Sequence, residues 1–218
     1  MIPLRDHNPS GNIAVMTYAL IAVNVLVFLY MWLLPQEAMD SFINAHAMVP
    51  TQIASGKNFI TLITSMFIHG SLGHIAGNML FLYIFGDNLE DRLGHIKYLL
   101  FYLICGLGAS MLQIFVDPAS TIPNIGASGA IAGLMGGYLF LFPNHKVDVL
   151  FETGPFLERG TVPAVAMLVY WFIAQLFYGA GSLALPDVGG VAYSAHVGGF
   201  ITGFSIVFFN KSRLNEYG

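Results

Sequence analysis

The sequence predicts an all-α membrane protein, a six-transmembrane-helix bundle with a long interfacial first loop. Three observations carry that prediction. Of 218 residues, 56% are hydrophobic and only 9% charged, where a soluble domain carries about a quarter charged. The charges are also confined: stretches free of Asp, Glu, Lys and Arg run over 7–36, 58–86, 98–116, 118–145, 160–186 and 188–210. Each approaches or exceeds the roughly 20 apolar residues that cross a bilayer as helix. Finally, the cations sort by side. Spans at 13–34, 71–88, 95–115, 127–142, 162–184 and 191–209 leave Arg5, Arg92, Lys97, Lys146, Arg159, Lys211 and Arg213 on one side and Lys57 alone on the other. That asymmetry predicts that both termini are cytoplasmic.

Six spans leave nothing for a water-soluble core, which excludes a soluble enzyme and a nucleic-acid binder. The net charge of -4 is spread over the connections and indicates no charged partner. Cys105 stands alone, so it forms no internal disulfide and has no metal-site partner in sequence. No cofactor and no metal are implied. The chain reads as a single membrane domain, 1–218.

Each element has its own grounds. The first apolar run, Ile13–Leu34, is longer than a signal-peptide core, and Pro35-Gln36-Glu37 offers no small-residue cleavage site. It is therefore expected to remain as a helix. With no Arg- and Ser-rich transit segment in view, a bacterial inner membrane is the expected home. The connection 35–70 mixes Phe42, Ile43, Met48 and Phe59 with polar residues, and is expected to form short elements in the outer interface. The other connections are short, as in a bundle. Pro123 and Pro143 bracket the fourth helix. A helix over 127–142 rises only about 24 Å, less than the ~30 Å hydrocarbon core. The segment 116–126 must then descend as irregular chain, which membranes tolerate only inside protein or beside water. The fourth helix is expected to begin at the bottom of a wet cavity.

At that start stands Gly126-Ala127-Ser128-Gly129. Small residues recur every fourth position in Ser128, Ala132, Gly136 and in Gly129, Gly133, Gly137, as they do in Ala195, Gly199, Gly203 on the sixth helix. Packing alone explains such stripes, because small residues let membrane helices approach closely. The same approach would bring Ser128 within reach of His196, an ionisable residue inside a span and therefore a functional candidate. An imidazole can take the serine proton near neutral pH and return it to a leaving amine. His74 and Asn78, spaced i, i+4, share one face of the second helix and are suitable oxyanion donors, together with the Ser128 backbone N–H at a helix N-terminus. Asn24, Thr64 and Gln175 have no such companions and read as packing.

Gly126-Ala127-Ser128-Gly129, Ala195-His196-Val197-Gly198-Gly199 and His74…Asn78 together resemble the signature of the rhomboid intramembrane serine proteases, in the family's order over roughly 65–205. Leu89-Glu90-Asp91-Arg92-Leu93-Gly94 resembles the family's structural turn, which makes Glu90 and Arg92 a brace; His69 matches a histidine that holds the first loop. The resemblance implies Ser128 as nucleophile, His196 as general base and acid, and His74 and Asn78 as oxyanion partners. The family uses a Ser–His dyad without a third acid, and neither Asp117 nor Asp187 is assigned to the site. Where the family often backs the histidine with an aromatic four residues after the serine, this chain has Ala132; Tyr193, one turn before His196, is the substitute that spacing offers.

The implied reaction is peptide-bond hydrolysis through an acyl-enzyme. The implied partners are transmembrane protein substrates within the lipid bilayer, cut near the outer end of their span. Substrate is expected to come sideways between the fifth and second helices, past Tyr170, Trp171, Phe172, Phe177 and Tyr178. A non-proteolytic rhomboid-like escort protein is the alternative, although such relatives generally lack the serine or histidine. A transporter would need paired midplane charges and half-helix repeats, and a metalloprotease a His-Glu-x-x-His; neither is present.

Overall fold

Long apolar runs free of proline become helix, and proline or glycine stops them. In the computed structural model, which describes residues 1–153, 156–184 and 192–211, the long helices are α1 (Val15–Trp32), α5 (Leu72–Leu93), α6 (His95–Val116), α7 (Ser128–Leu141), α8 (Ala164–Ala184) and α9 (Tyr193–Phe209). They fall where the sequence places them, with two informative differences. α5 runs five residues beyond the expected end at 88. Its last turns carry Asn88, Glu90 and Asp91, whose side chains bond the segment from Asn8 to Thr17. Charged residues there are partnered by protein, so they extend the helix instead of ending it. Gly94, at φ 75, then makes the turn into α6.

The second difference corrects the all-α prediction. Residues Ile2–Asp6 (β1), Lys146–Thr153 (β2) and Phe156–Pro163 (β3) form a three-stranded antiparallel sheet in the order β1-β2-β3. The register pairs Pro3 with Val149 and Asp6 with Val147, and Val149 in turn with Gly160. Val147 and Val149 are fully buried, the two-residue period of a half-buried strand. The connection between the fourth and fifth long helices is thus a hairpin, with the N-terminal segment as its third strand.

Among the described residues, three helices are long and apolar enough to cross a membrane on their own: Val15–Trp32, His95–Val116 and Ala164–Gly181. α7 and α9 are apolar but shorter. α7 is also the most enclosed: every residue from Gly129 to Tyr138 is buried. Its glycines make that possible. A Cβ added at Gly199 or Gly203 would overlap the carbonyl oxygen of Gly129 or Gly133 respectively, and one at Gly136 would overlap that of Phe200. α7 and α9 therefore touch backbone to backbone, as small-residue stripes allow.

The region between α1 and α5 holds α2 (Gln36–His46), α3 (Pro50–Ala54), α4 (Thr61–Thr64) and a 3-10 turn, Ser65–Phe67. It staples the irregular chain that precedes α7. Met48 and Asn124 exchange both backbone hydrogen bonds (3.1 and 2.8 Å), Thr51 N donates to Ser120 O, and Gly126 N donates to Ser65 O at 2.9 Å. Parts of the non-helical backbone between 117 and 127 thereby find partners in protein before the chain becomes buried at Ala127.

Candidate active site

Ser128 opens α7 and His196 lies in the first turn of α9. Because the two helices meet on their glycine faces, Ser128 Oγ donates to His196 Nε2 at 2.8 Å. Both residues are half-buried. The other ring nitrogen is also engaged: His196 Nδ1 donates to Gln175 Oε1, again at 2.8 Å. The Trp171 ring lies 5.8 Å from the imidazole, tilted by 35°, while Tyr193 meets it edge-on at 6.4 Å. Tyr193 does stand against the histidine, as its spacing suggests, but Trp171 is the closer aromatic.

His74 and Asn78 gather on the other side of the serine. Gly126, at φ 118, brings the chain past them so tightly that a Cβ there would sit 2.6 Å from His74 Nε2 and 3.5 Å from Asn78 Nδ2. Only glycine fits both that φ and that approach. Asn78 is 8% exposed, and its Nδ2 has no hydrogen-bond partner among the described residues. A buried carboxamide donor left open beside a serine is unusual, since such groups are nearly always paired. Ser71 caps α5 by accepting from the His74 backbone N–H at 3.1 Å, which fixes the turn from which His74 projects. The His69 ring packs edge-on against that of His74 at 5.0 Å, and the Ala127 N–H points at His69 Nε2 over 3.5 Å. Burial first, and the neighbouring His74 second, pull His69 down to a pKa of about 4. It is a neutral prop for the segment that delivers Ser128.

All four residues singled out by motif therefore lie around one point at one end of the helices. Sequence reading missed the support from α8. Gln175, read there as packing, holds His196. Trp171 and Phe172, read as gate aromatics, turn inward onto Phe200 at 6.2 and 4.5 Å, whereas Tyr170, Phe177 and Tyr178 are exposed. The available signal was the i, i+4 spacing of Trp171 and Gln175, which puts an aromatic and a carboxamide on one helix face. Asp187 lies outside the described residues, as does Arg213. Glu90 braces the opposite end: its carboxylate accepts from Met16 N, Thr17 N and Thr17 Oγ1 at 2.7–2.8 Å and pairs with His95 at 2.5 Å. No group of metal-binding side chains occurs among the described residues.

A multi-pass integral membrane protein with a hydrogen-bonded serine and histidine at the ends of two closely packed helices is the class these features define. The model of the Rhomboid domain matches residues 56–213. The chain belongs to the rhomboid family. It is 30% identical over 192 residues to "Rhomboid protein 1, mitochondrial" of Saccharomyces cerevisiae, covering 86% of this chain and 51% of that protein. It is 26% identical over 188 residues to "Rhomboid protease GluP" of Bacillus subtilis, 86% of this chain and 33% of that one. Similarity to "RHOMBOID-like protein 2" of Arabidopsis thaliana reaches 35% over 147 residues, 67% and 41% of the two chains. The chain thus spans about half, or less, of the length of these relatives. Their names are mitochondrial, plant and bacterial, so family membership does not single out one membrane.

Proposed function

We propose that this chain is an intramembrane serine endopeptidase that cuts transmembrane segments near one face of the bilayer. The observation that carries the reading is the 2.8 Å bond from Ser128 Oγ to His196 Nε2; Asn78 Nδ2, buried against Gly126 and without a partner among the described residues, supports it. His196 Nε2 takes the hydroxyl proton as Ser128 Oγ attacks the scissile carbonyl. Negative charge grows on the carbonyl oxygen, where the Ser128 backbone N–H, the Asn78 carboxamide and the His74 imidazole are suited to receive it. The imidazolium then protonates the departing amine. Water, deprotonated by the same nitrogen, releases the acyl group.

In this reading all six long helices span the bilayer as one domain, with both termini on the cytoplasmic side. Pairing of β1 with β2 supports it: the N-terminal segment and the chain after α7 lie together, so an even number of crossings separates them. α1, α5, α6 and α7 supply four. α7, at 14 residues, completes its crossing through the irregular chain before it. Substrate enters sideways past α8, and must unwind there, since a helical peptide bond is shielded by its own turn. A bacterial inner membrane remains the proposed setting.

The test is fluorophosphonate labelling of the detergent-solubilised protein, with the adduct mapped by mass spectrometry, alongside cleavage of a reporter bearing a labile transmembrane segment. Wild-type protein takes the label on Ser128 and cuts the reporter. Ser128→Ala and His196→Ala each abolish cleavage while the variants stay folded. Undiminished cleavage by either variant would refute the reading.

A further inference from the structure

A neutral imidazole carries a single N–H. His196 faces Ser128 Oγ with Nε2 and Gln175 Oε1 with Nδ1, each at 2.8 Å. To accept the serine proton, Nε2 must be bare, which requires the ring proton to sit on Nδ1. Whatever accepts that proton therefore selects the useful tautomer. Gln175 is 8% exposed, so water competes poorly for the same position. Trp171, one turn earlier on α8, lies over the ring and limits its tilt.

We propose that Gln175 is a positioning residue for the base, holding His196 through Nδ1 in the tautomer that leaves Nε2 free for Ser128. The inference rests on the protease reading above and adds to the dyad a third, uncharged member carried by α8. A carboxamide in this place has chemical precedent in the Cys-His-Asn arrangement of papain-like proteases. A neutral acceptor also avoids placing an ionised carboxylate in an apolar setting, where it would be costly. Because Gln175 and Trp171 both belong to α8, while the dyad belongs to α7 and α9, the base is held correctly only when α8 is seated against α9.

The experiment uses the full chain in detergent or nanodiscs. Gln175→Met keeps the shape and removes the carboxamide. It is expected to lower kcat for the reporter by ~10–100-fold, to leave KM within about twofold, and to slow fluorophosphonate labelling in step. Gln175→Glu, which retains an acceptor at the same reach, restores most of the lost rate. Nitrogen-15 shifts of the His196 ring report the tautomer directly: protonated Nδ1 and bare Nε2 in wild type, a mixture in Gln175→Met. Wild-type kcat in Gln175→Met, equal impairment of the Met and Glu variants, or a wild-type ring protonated on Nε2 would each overturn the proposal. The Ser128→Ala control separates the two ideas. Cleavage surviving that change defeats the protease reading, whereas the tautomer measurement judges Gln175 without reference to cleavage.

Discussion

Ser128 is the first residue of α7, so its backbone N–H has no partner within the helix. On the proposed protease reading, one residue thus offers a nucleophile and a donor. In the same reading Asn78 adds a second donor, its Nδ2 having no hydrogen-bond partner among the described residues. Asn78→Ala is expected to reduce kcat by ~10–100-fold, less than the loss from Ser128→Ala because two other donors remain; reporter kinetics check this, and a fully active variant would remove Asn78 from the site. Gly126→Ala should be nearly as damaging despite adding one methyl. The new Cβ would meet His74 Nε2 at 2.6 Å in a backbone conformation of φ 118 that L-residues rarely adopt. Loss of labelling in a folded protein is the expected readout. The candidate positions Ser128, His196, His74 and Asn78, which the fold brings together, were legible in the chain because each sits in a short local motif. Gln175 was not: its role depends on which way α8 turns, and an apolar helix with exposed aromatics does not announce that in its composition.

The contact between α7 and α9 is the element on which the candidate site depends, because it sets the distance between the helices that carry Ser128 and His196. Gly203 faces the Gly133 carbonyl with no room for a side chain. Gly203→Val is expected to force the helices apart, costing roughly 1–3 kcal/mol as an overpacked core does, and to abolish labelling at Ser128 before the fold is lost. Thermal melts run beside labelling would separate the two effects. The small-residue stripes foretold this contact. At the far end, Glu90 satisfies donors in the first turn of α1 with a carboxylate that is 1% exposed. Glu90→Ala leaves those donors unpaired and is expected to lower stability by about 3 kcal/mol, read as a lower Tm in detergent. The Leu-Glu-x-Arg-x-Gly motif indicated the brace, though not that it caps α1, since the partner lies some 75 residues away in the chain.

Across the whole molecule, the sheet ties the N-terminus to the hairpin between α7 and α8, beneath the bundle and remote from Ser128. Tyr138 reaches down from α7 and donates its hydroxyl proton to Asp6 at 2.8 Å. Burial raises the pKa of Asp6, against the lowering effect of that hydrogen bond. A raised carboxyl disfavours its ionised form in the folded state, so the protein loses stability as pH rises through the Asp6 titration and regains it as pH falls. Asp6→Asn keeps an acceptor for Tyr138 without the charge. It is expected to raise Tm at pH 8 and to have less effect at pH 5; a variant less stable at pH 8 would contradict this. The alternation Val147, Val149, Phe151 was the available sign of β2, whose hairpin partner β3 follows directly in the chain; the third strand was not legible, because β1 lies more than 130 residues upstream.

The chain by itself determined the membrane setting, the helix positions and the two residues most suited to exchange a proton. These follow from local hydropathy and short motifs, which need no knowledge of neighbours. Tertiary structure alone decided that α5 continues through its acidic turn, that a sheet closes one end, and that α8 supplies the histidine's second partner. Each of these joins groups distant in sequence, where the outcome is set by which polar atoms find one another once the helices have packed.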